Sequence, residues 1–188
     1  SYKEDKLSDY CVAFAKEHNL EVYQDELKNI VMIKEATPGY EDKEPVILQG
    51  HIDMVCEKEP GCKIDFENDG LTLKVEGDYV TAEGTTLGGD DGIAVAYALA
   101  ILASDTISHP RLEVVFTVSE EVGMEGAAGI DVSMLKGRKL INLDSEDEGI
   151  MLASCAGGCS MECMIPSSWE EMEAIAIDLR VAGLIGGH

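Results

Sequence analysis

The chain is short of basic residues, of aromatics and of long apolar runs. Its 188 residues hold 14 Lys and Arg against 37 Asp and Glu, a net charge of -23. Such a surface repels nucleic acid and anionic membranes, so neither is expected as a partner. Most of these acids are read as a solvated face. With one Trp, six Tyr and three Phe, a core must rest on Val, Ile, Leu, Ala and Met. No apolar run is long enough for a transmembrane helix. Six cysteines are present, but Cys155, Cys159 and Cys163 follow a C-x3-C-x3-C spacing that misses the C-x2-C of zinc ribbons. The first ten residues, SYKEDKLSDY, lack the apolar core of an export signal and start without Met. We therefore expect a cytoplasmic protein whose thiols pack as small apolar residues and form no disulfide framework.

What remains is long enough for one α/β domain. Residues 4–18 place Leu7, Tyr10, Cys11, Phe14 and Ala15 on one helical face, with Asn19 as the stop. Two short strands follow in LEVYQDELKNIVMIKE, and VILQG reads as a buried strand. LTLKVEGDYVTAEG alternates around Gly-Asp and predicts a hairpin whose outer face meets water. DDGIAVAYALAILAS is apolar almost all round, predicting a helix buried between layers with Asp90 or Asp91 as N-cap. RLEVVFTVS predicts a second buried strand, GAAGIDVSML a short helix and KLINLD a third buried strand. SMECMIPSS and EAIAIDLRVAGLIGG are read as edge-like strands. Alternating strands and helices predict an α/β fold, a mostly parallel mixed sheet flanked by helices.

Three buried-type strands end in polar residues. VILQG runs into His51 and Asp53, LEVVFTVS into Glu120 and Glu121, and LINL into Asp144. In a parallel sheet these carboxyl ends share one edge, where open α/β folds bind ligands. The turn into the apolar helix adds Asp90 and Asp91. So many carboxylates on one edge repel one another unless cations neutralise them, which predicts a metal site. One imidazole among carboxylates suits zinc, manganese or cobalt. Calcium is disfavoured: DSEDEG at 144–149 imitates an EF-hand loop, but its twelfth position is Cys155 rather than Glu. Residues i and i+2 of an extended segment face the same way, so Asp53 can hold the far nitrogen of His51. Adjacent residues of a strand diverge, so one of Glu120 and Glu121 is expected on the metal and the other on a water as general base. A carboxylate such as Asp90 can bridge two ions.

GHIDMVCEK, TTLGGDDGIAVAYALAIL, SEEVGMEGA, LINLDSEDEG, SCAGG and VAGLIGGH resemble, in family order, the dinuclear zinc exopeptidases. They look most like the aminoacyl-histidine, or cytosolic non-specific, dipeptidases. The resemblance implies two zinc ions, with Mn2+ or Co2+ as substitutes. It implies His51 and Asp144 on the first ion, Asp53 orienting His51, and Asp90 bridging both. Glu121 would bind the second ion and Glu120 act as general base, as a zinc-bound hydroxide attacks the dipeptide carbonyl. A cis peptide bond is implied between Asp90 and Asp91.

The match has departures. This branch carries Asn where Asp91 stands, whereas the related tripeptidases carry Asp-Asp. Members of the family run on past GGH through a lid and dimerisation domain and later supply a histidine to the second zinc. None of His18, His109 and His188 matches that ligand. His188 matches a lid histidine that contacts substrate across a homodimer. We therefore expect a piece of a longer enzyme: residues 1–170 as an incomplete catalytic domain and 171–188 as the start of the lid domain. A tripeptidase, aminoacylase or carboxypeptidase, or a metal-binding fragment without turnover, are the alternative readings.

Overall fold

A computed structural model describes residues 1–145, 147, 149–155, 157, 161–168, 171, 173, 175, 177, 178 and 180. Chain contacts divide the protein into Ser1–Met151 and Leu152–His188. Every regular element among the described residues lies in the first unit.

Helix α1 (Asp5–Glu17) ends where Asn19 takes a left-handed conformation, with Leu20 N donating to Ala15 O at 2.8 Å. Its buried stripe runs through Ser8, Cys11 and Ala15, so Tyr10 of the expected face is largely exposed. Strands β1 (Glu21–Gln24), β2 (Ile30–Lys34), β3 (Val46–His51), β6 (Leu112–Thr117) and β7 (Lys139–Asn142) form one sheet in the order β1-β2-β6-β3-β7. β1 and β2 pair antiparallel, as do β2 and β6, while β3 runs parallel to both β6 and β7. The sheet is therefore mixed, with its parallel half where the polar strand ends occur.

Alternation along the strands builds two cores. Ile30, Met32, Leu48, Val114 and Phe116 face one way and pack with Cys11 and Ala15 of α1 and with Val95, Ala98 and Leu102 of α2 (Gly89–Ala103). Val31, Ile33, Ile47 and Val115 face the other way, against Ile130, Met134 and Leu135, which come after the short helix α3 (Glu125–Gly129). Lys34 Nζ donates to Leu102 O and Ser104 O at 2.8 and 2.6 Å, placing a cation on the carbonyl end of α2. Gly50 lets α2 approach β3: a Cβ there would lie 2.5 Å from Asp91 Oδ2 and 2.8 Å from Ala94 Cβ. The expected hairpin is β4 (Leu73–Glu76) with β5 (Tyr79–Ala82), a separate two-stranded sheet.

Several expectations need correction. Helix α2 buries one side only; Ile93 and Tyr97 are 52% and 58% exposed. Its N-cap is Gly88, and neither aspartate caps it, because both side chains turn to His51 instead. β7 is apolar on both faces yet exposed, since it is the sheet edge and no described element covers it. Residues 161–168 form no strand, having no neighbouring strand to pair with among the described residues; the expected strand in EAIAIDLRVAGLIGG falls largely outside the described residues. Among the described cysteines, Cys11 packs in the core, whereas Cys56, Cys155 and Cys163 are exposed free thiols.

A buried ion pair fixes how the chain enters β7. Glu113 on β6 is fully buried and accepts Arg111 Nε at 2.8 Å, Lys136 N at 3.0 Å and Gly137 N at 2.9 Å. Arg111 also pairs with Glu35. Burial pushes the Glu113 carboxyl up, but these donors outweigh it and hold it below the ordinary glutamate value of 4.5. A depressed carboxyl contributes stability that is present above its unfolded value and lost as pH falls through the folded one. Glu113→Gln is therefore expected to cost about 3 kcal/mol at pH 7, where the cost of stranded buried donors meets that of a broken buried pair. The gap from wild type should narrow as pH falls below the ordinary glutamate value of 4.5 and through the lower folded one. Urea melts of both proteins from pH 3 to pH 7 measure it; a gap that does not change with pH refutes the ionic role.

Candidate functional site

Because β3, β6 and β7 are parallel, their carboxyl ends meet at one edge. His51 is the last residue of β3 and is 1% exposed. Its Nδ1 lies 3.0 Å from Asp53 O and 3.3 Å from Asp53 Oδ1. Its Nε2 lies 3.0 Å from Asp90 Oδ1 and 4.0 Å from Asp144 Oδ2. Both ring nitrogens thus face acceptors only, an arrangement that asks the imidazole to be a cation or to give Nε2 to one. Burial pushes the His51 pKa down, but Asp90, Asp53, Asp144 and Asp91 outweigh it and the net shift is upward. Nε2, facing Asp90 and Asp144, is the ring nitrogen placed to meet a divalent ion.

Asp90 and Asp91 open α2 with non-helical backbone and a cis peptide bond between them. Asp90 reaches the ring of His51, while Asp91 Oδ2 accepts the backbone N–H of His51 at 3.3 Å. Asp91 is 1% exposed; burial, opposed by the His51 contacts and reinforced by Asp144 and Asp90, pushes its carboxyl up to about 6.

Asp53 ties β3 to the loop after β6. Its Oδ1 accepts Glu120 N at 2.9 Å, and its Oδ2 accepts Glu121 N at 3.2 Å and Ser1 Oγ at 2.6 Å. Burial alone would raise the Asp53 pKa; these donors and His51 bring it below the ordinary value. Glu120 moves the opposite way: burial pushes its carboxyl up, and Asp144, Glu121 and Asp53 reinforce the shift against His51. Glu120 and Glu121 lie in a turn beyond the end of β6, and Ser119 before them has φ +52°. The divergence expected of adjacent strand residues therefore does not apply, and both carboxylates approach His51.

Among the described residues, two groupings could hold a metal ion. His51, Asp90 and Asp144 form one, and His51, Glu120 and Glu121 the other, each with ligand atoms within 4.8 Å of one another. The donor set, one imidazole with hard carboxylate oxygens, fits zinc or a similar divalent ion. His18 lies elsewhere, at the end of α1 against Phe14, and His109 is buried before β6, its Nδ1 2.8 Å from Pro110 O. His188 falls outside the described residues.

Sequence patterns point to no role for Ser1, Asn29 or Asp25, and read Asp91 only as a further carboxylate of the shared edge or a possible N-cap. Two of these find distant partners through the fold: Ser1 meets Asp53 52 positions away, and Asn29, held by its near neighbour Asp25, meets Val118 and Gly126 at 89 and 97. No local pattern signals such contacts.

Comparison with known proteins gives a consistent set. Residues 47–174 match the model of peptidase family M20/M25/M40. The chain is 42% identical to the cytosol non-specific dipeptidase of Escherichia coli (strain K12), covering 100% of this chain and 39% of that protein. It thus spans about two fifths of the length of that curated relative. Among solved structures, aminoacylhistidine dipeptidase from Vibrio alginolyticus is 46% identical with a TM-score of 0.77, over 79% of this chain and 30% of that one. The aminopeptidase PepT of Bacillus cereus, at 24% identity and a TM-score of 0.62 over 78% of this chain and 39% of that one, shares the fold.

Proposed function

Because the chain belongs to peptidase family M20/M25/M40, we propose that it is the catalytic part of a divalent-metal-dependent dipeptidase. The observation that carries this reading is a buried imidazole whose Nε2 faces carboxylates at the shared end of parallel strands. The names of the two relatives above 40% identity, both dipeptidases, support the substrate class.

His51, Asp144 and Asp90 would hold a first zinc ion. Asp90 and Glu121 would hold a second, with its remaining donors supplied by parts of the full-length protein outside this chain. When bound, the ions supply Lewis acidity, polarising the scissile carbonyl and lowering the pKa of the attacking water. Asp53 keeps the Nδ1 proton on His51, so that Nε2 presents its lone pair. Glu120 takes the proton from the water as it adds to the carbonyl carbon. It then delivers that proton to the amine nitrogen as the C–N bond breaks. Its upward-shifted carboxyl suits both halves of this exchange. We further propose Xaa-His dipeptides as preferred substrates within a broad range, a cytoplasmic location, and a homodimer for the full-length protein. Residues 171–188 would begin the lid domain, and His188 would contact substrate.

The test uses the full-length protein, stripped with chelator and reloaded with zinc. Hydrolysis of Xaa-His dipeptides should vanish on stripping, return on reloading, and exceed that of tripeptides and N-acyl amino acids. Undiminished hydrolysis after stripping refutes the metal dependence. A reloaded protein that cleaves only tripeptides or acyl amino acids refutes the substrate class.

A further inference from the structure

Beyond the residues that face the metal centre, the loop bearing Glu120 and Glu121 is held in an unusual way. Residues 118–126 leave β6 and return upon themselves, closed at the neck by Gly126 N donating to Val118 O at 3.2 Å. Within the loop Glu120 O accepts Gly123 N and Met124 N, both at 3.0 Å, and Glu125 N donates to Ser119 O at 3.2 Å. Ser119 and Met124 have φ of +52° and +58°. Side-chain-bearing residues adopt that region mainly where surrounding structure over-determines it.

Asn29, from the start of β2, lies across the neck. Its Oδ1 accepts Val118 N at 3.1 Å, and its Nδ2 donates to Gly126 O at 3.0 Å. The other hydrogen of Nδ2 goes to Asp25 Oδ2 at 2.7 Å, while Asp25 Oδ1 accepts Asn29 N at 2.8 Å. Both amide hydrogens and the amide oxygen are therefore used, in a side chain that is 1% exposed. Asp25 sets which way the amide points. Gly126 is fitted to the same contact, since a Cβ there would strike Val118 O and lie 2.5 Å from Asn29 Oδ1.

We propose that Asn29, oriented by Asp25, is a positioning residue for Glu120 and Glu121. The proposal rests on the function proposed above. Asp53 holds the two glutamates at their own N–H groups, and Asn29 holds the base of the loop they stand on. Without the second anchor the loop can tilt about the first. A displacement near 1 Å of a reacting group costs on the order of 10²-fold in rate.

The experiment compares Asn29→Asp with the double variant Asp25→Asn/Asn29→Asp, both in the full-length protein. Asn29→Asp keeps an acceptor for Val118 N, but sets a carboxylate against both Gly126 O and Asp25. The double variant restores a donor–acceptor pair between positions 25 and 29 and still offers Gly126 O no donor. Asn29→Asp should lower kcat about 10- to 100-fold with KM changed less than about threefold, the split expected of a misplaced catalytic group. Amide hydrogen exchange should quicken at least about tenfold across 120–126 but not in β6, as in local opening of one segment. The double variant should regain Tm without regaining kcat. Unchanged kcat in Asn29→Asp, a fall in kcat without faster exchange, or recovery of kcat together with Tm in the double variant overturns the proposal. Exchange is read without turnover, so it judges the clamp even if the wild-type protein hydrolyses no dipeptide, an outcome that would count against the dipeptidase reading instead.

Discussion

Glu120→Gln in the full-length protein is expected to lower kcat by about 10²–10⁴-fold, the range for loss of a general base, with metal content unchanged. Gln has the shape of Glu but cannot take the proton of the attacking water or return one to the leaving amine. The backbone N–H of residue 120 would still donate to Asp53 Oδ1, as it does at 2.9 Å in the wild type. The loop and Glu121 should therefore stay in place. His51, Asp90 and Asp144 are untouched, so metal stoichiometry by elemental analysis should match wild type. If Glu120 instead serves mainly as a metal ligand, which its place beside His51 and Glu121 permits, the substitution should strip metal, and added zinc should restore part of the rate. A kcat within tenfold of wild type at full metal occupancy refutes the base assignment.

Much of this site is legible in the sequence because its residues mark the ends of strongly patterned strands. VILQG and LEVVFTV pattern only as buried strands, and a parallel arrangement brings the residues just past their carboxyl ends onto one edge. Once that is granted, His51, Glu120 and Asp144 must be neighbours. The burial of helix α2 is less legible. Its composition is apolar all round, but burial depends on what packs outside it, and Ile93 and Tyr97 have nothing over them among the described residues. β7 repeats the lesson, being a sequence fit for a central strand that stands at an edge. Local rules also fail at Asp90 and Asp91, where an N-cap is the ordinary expectation. There the demand of His51 for acceptors outweighs the demand of the helix for a cap. Residues that hold the site from behind, Asn29 and Asp25 among them, leave no mark in the sequence because a buried amide with distant backbone partners has no sequence period.

Asp53→Asn is expected to weaken divalent-ion binding about 10- to 100-fold, as loss of a partner to a ligating histidine typically does, and to destabilise the metal-free protein as well. The Asp53 carboxylate is surrounded by donors: Glu120 N and His51 Nδ1 on the Oδ1 side, Glu121 N and the Ser1 hydroxyl on the Oδ2 side. An asparagine has one acceptor oxygen, so its NH2 must confront donors whichever way it is flipped. A hydroxyl such as that of Ser1 can rotate to accept; the backbone N–H of Glu121 or of Glu120 cannot. Leaving such a buried donor unsatisfied costs about 1–3 kcal/mol. The pH dependence comes from the direction of the Asp53 shift. Its folded pKa lies below the ordinary value of 3.8, so its contribution is present above that value and fades as pH falls through the folded one. Thermal melts of the metal-free proteins should therefore differ most near neutral pH and converge toward pH 3, while chelator competition at pH 7 reads the metal affinity. Equal affinity would refute the part played by Asp53 in orienting His51. A difference in Tm that persists unchanged at pH 3 would show that shape, not charge, is what position 53 contributes.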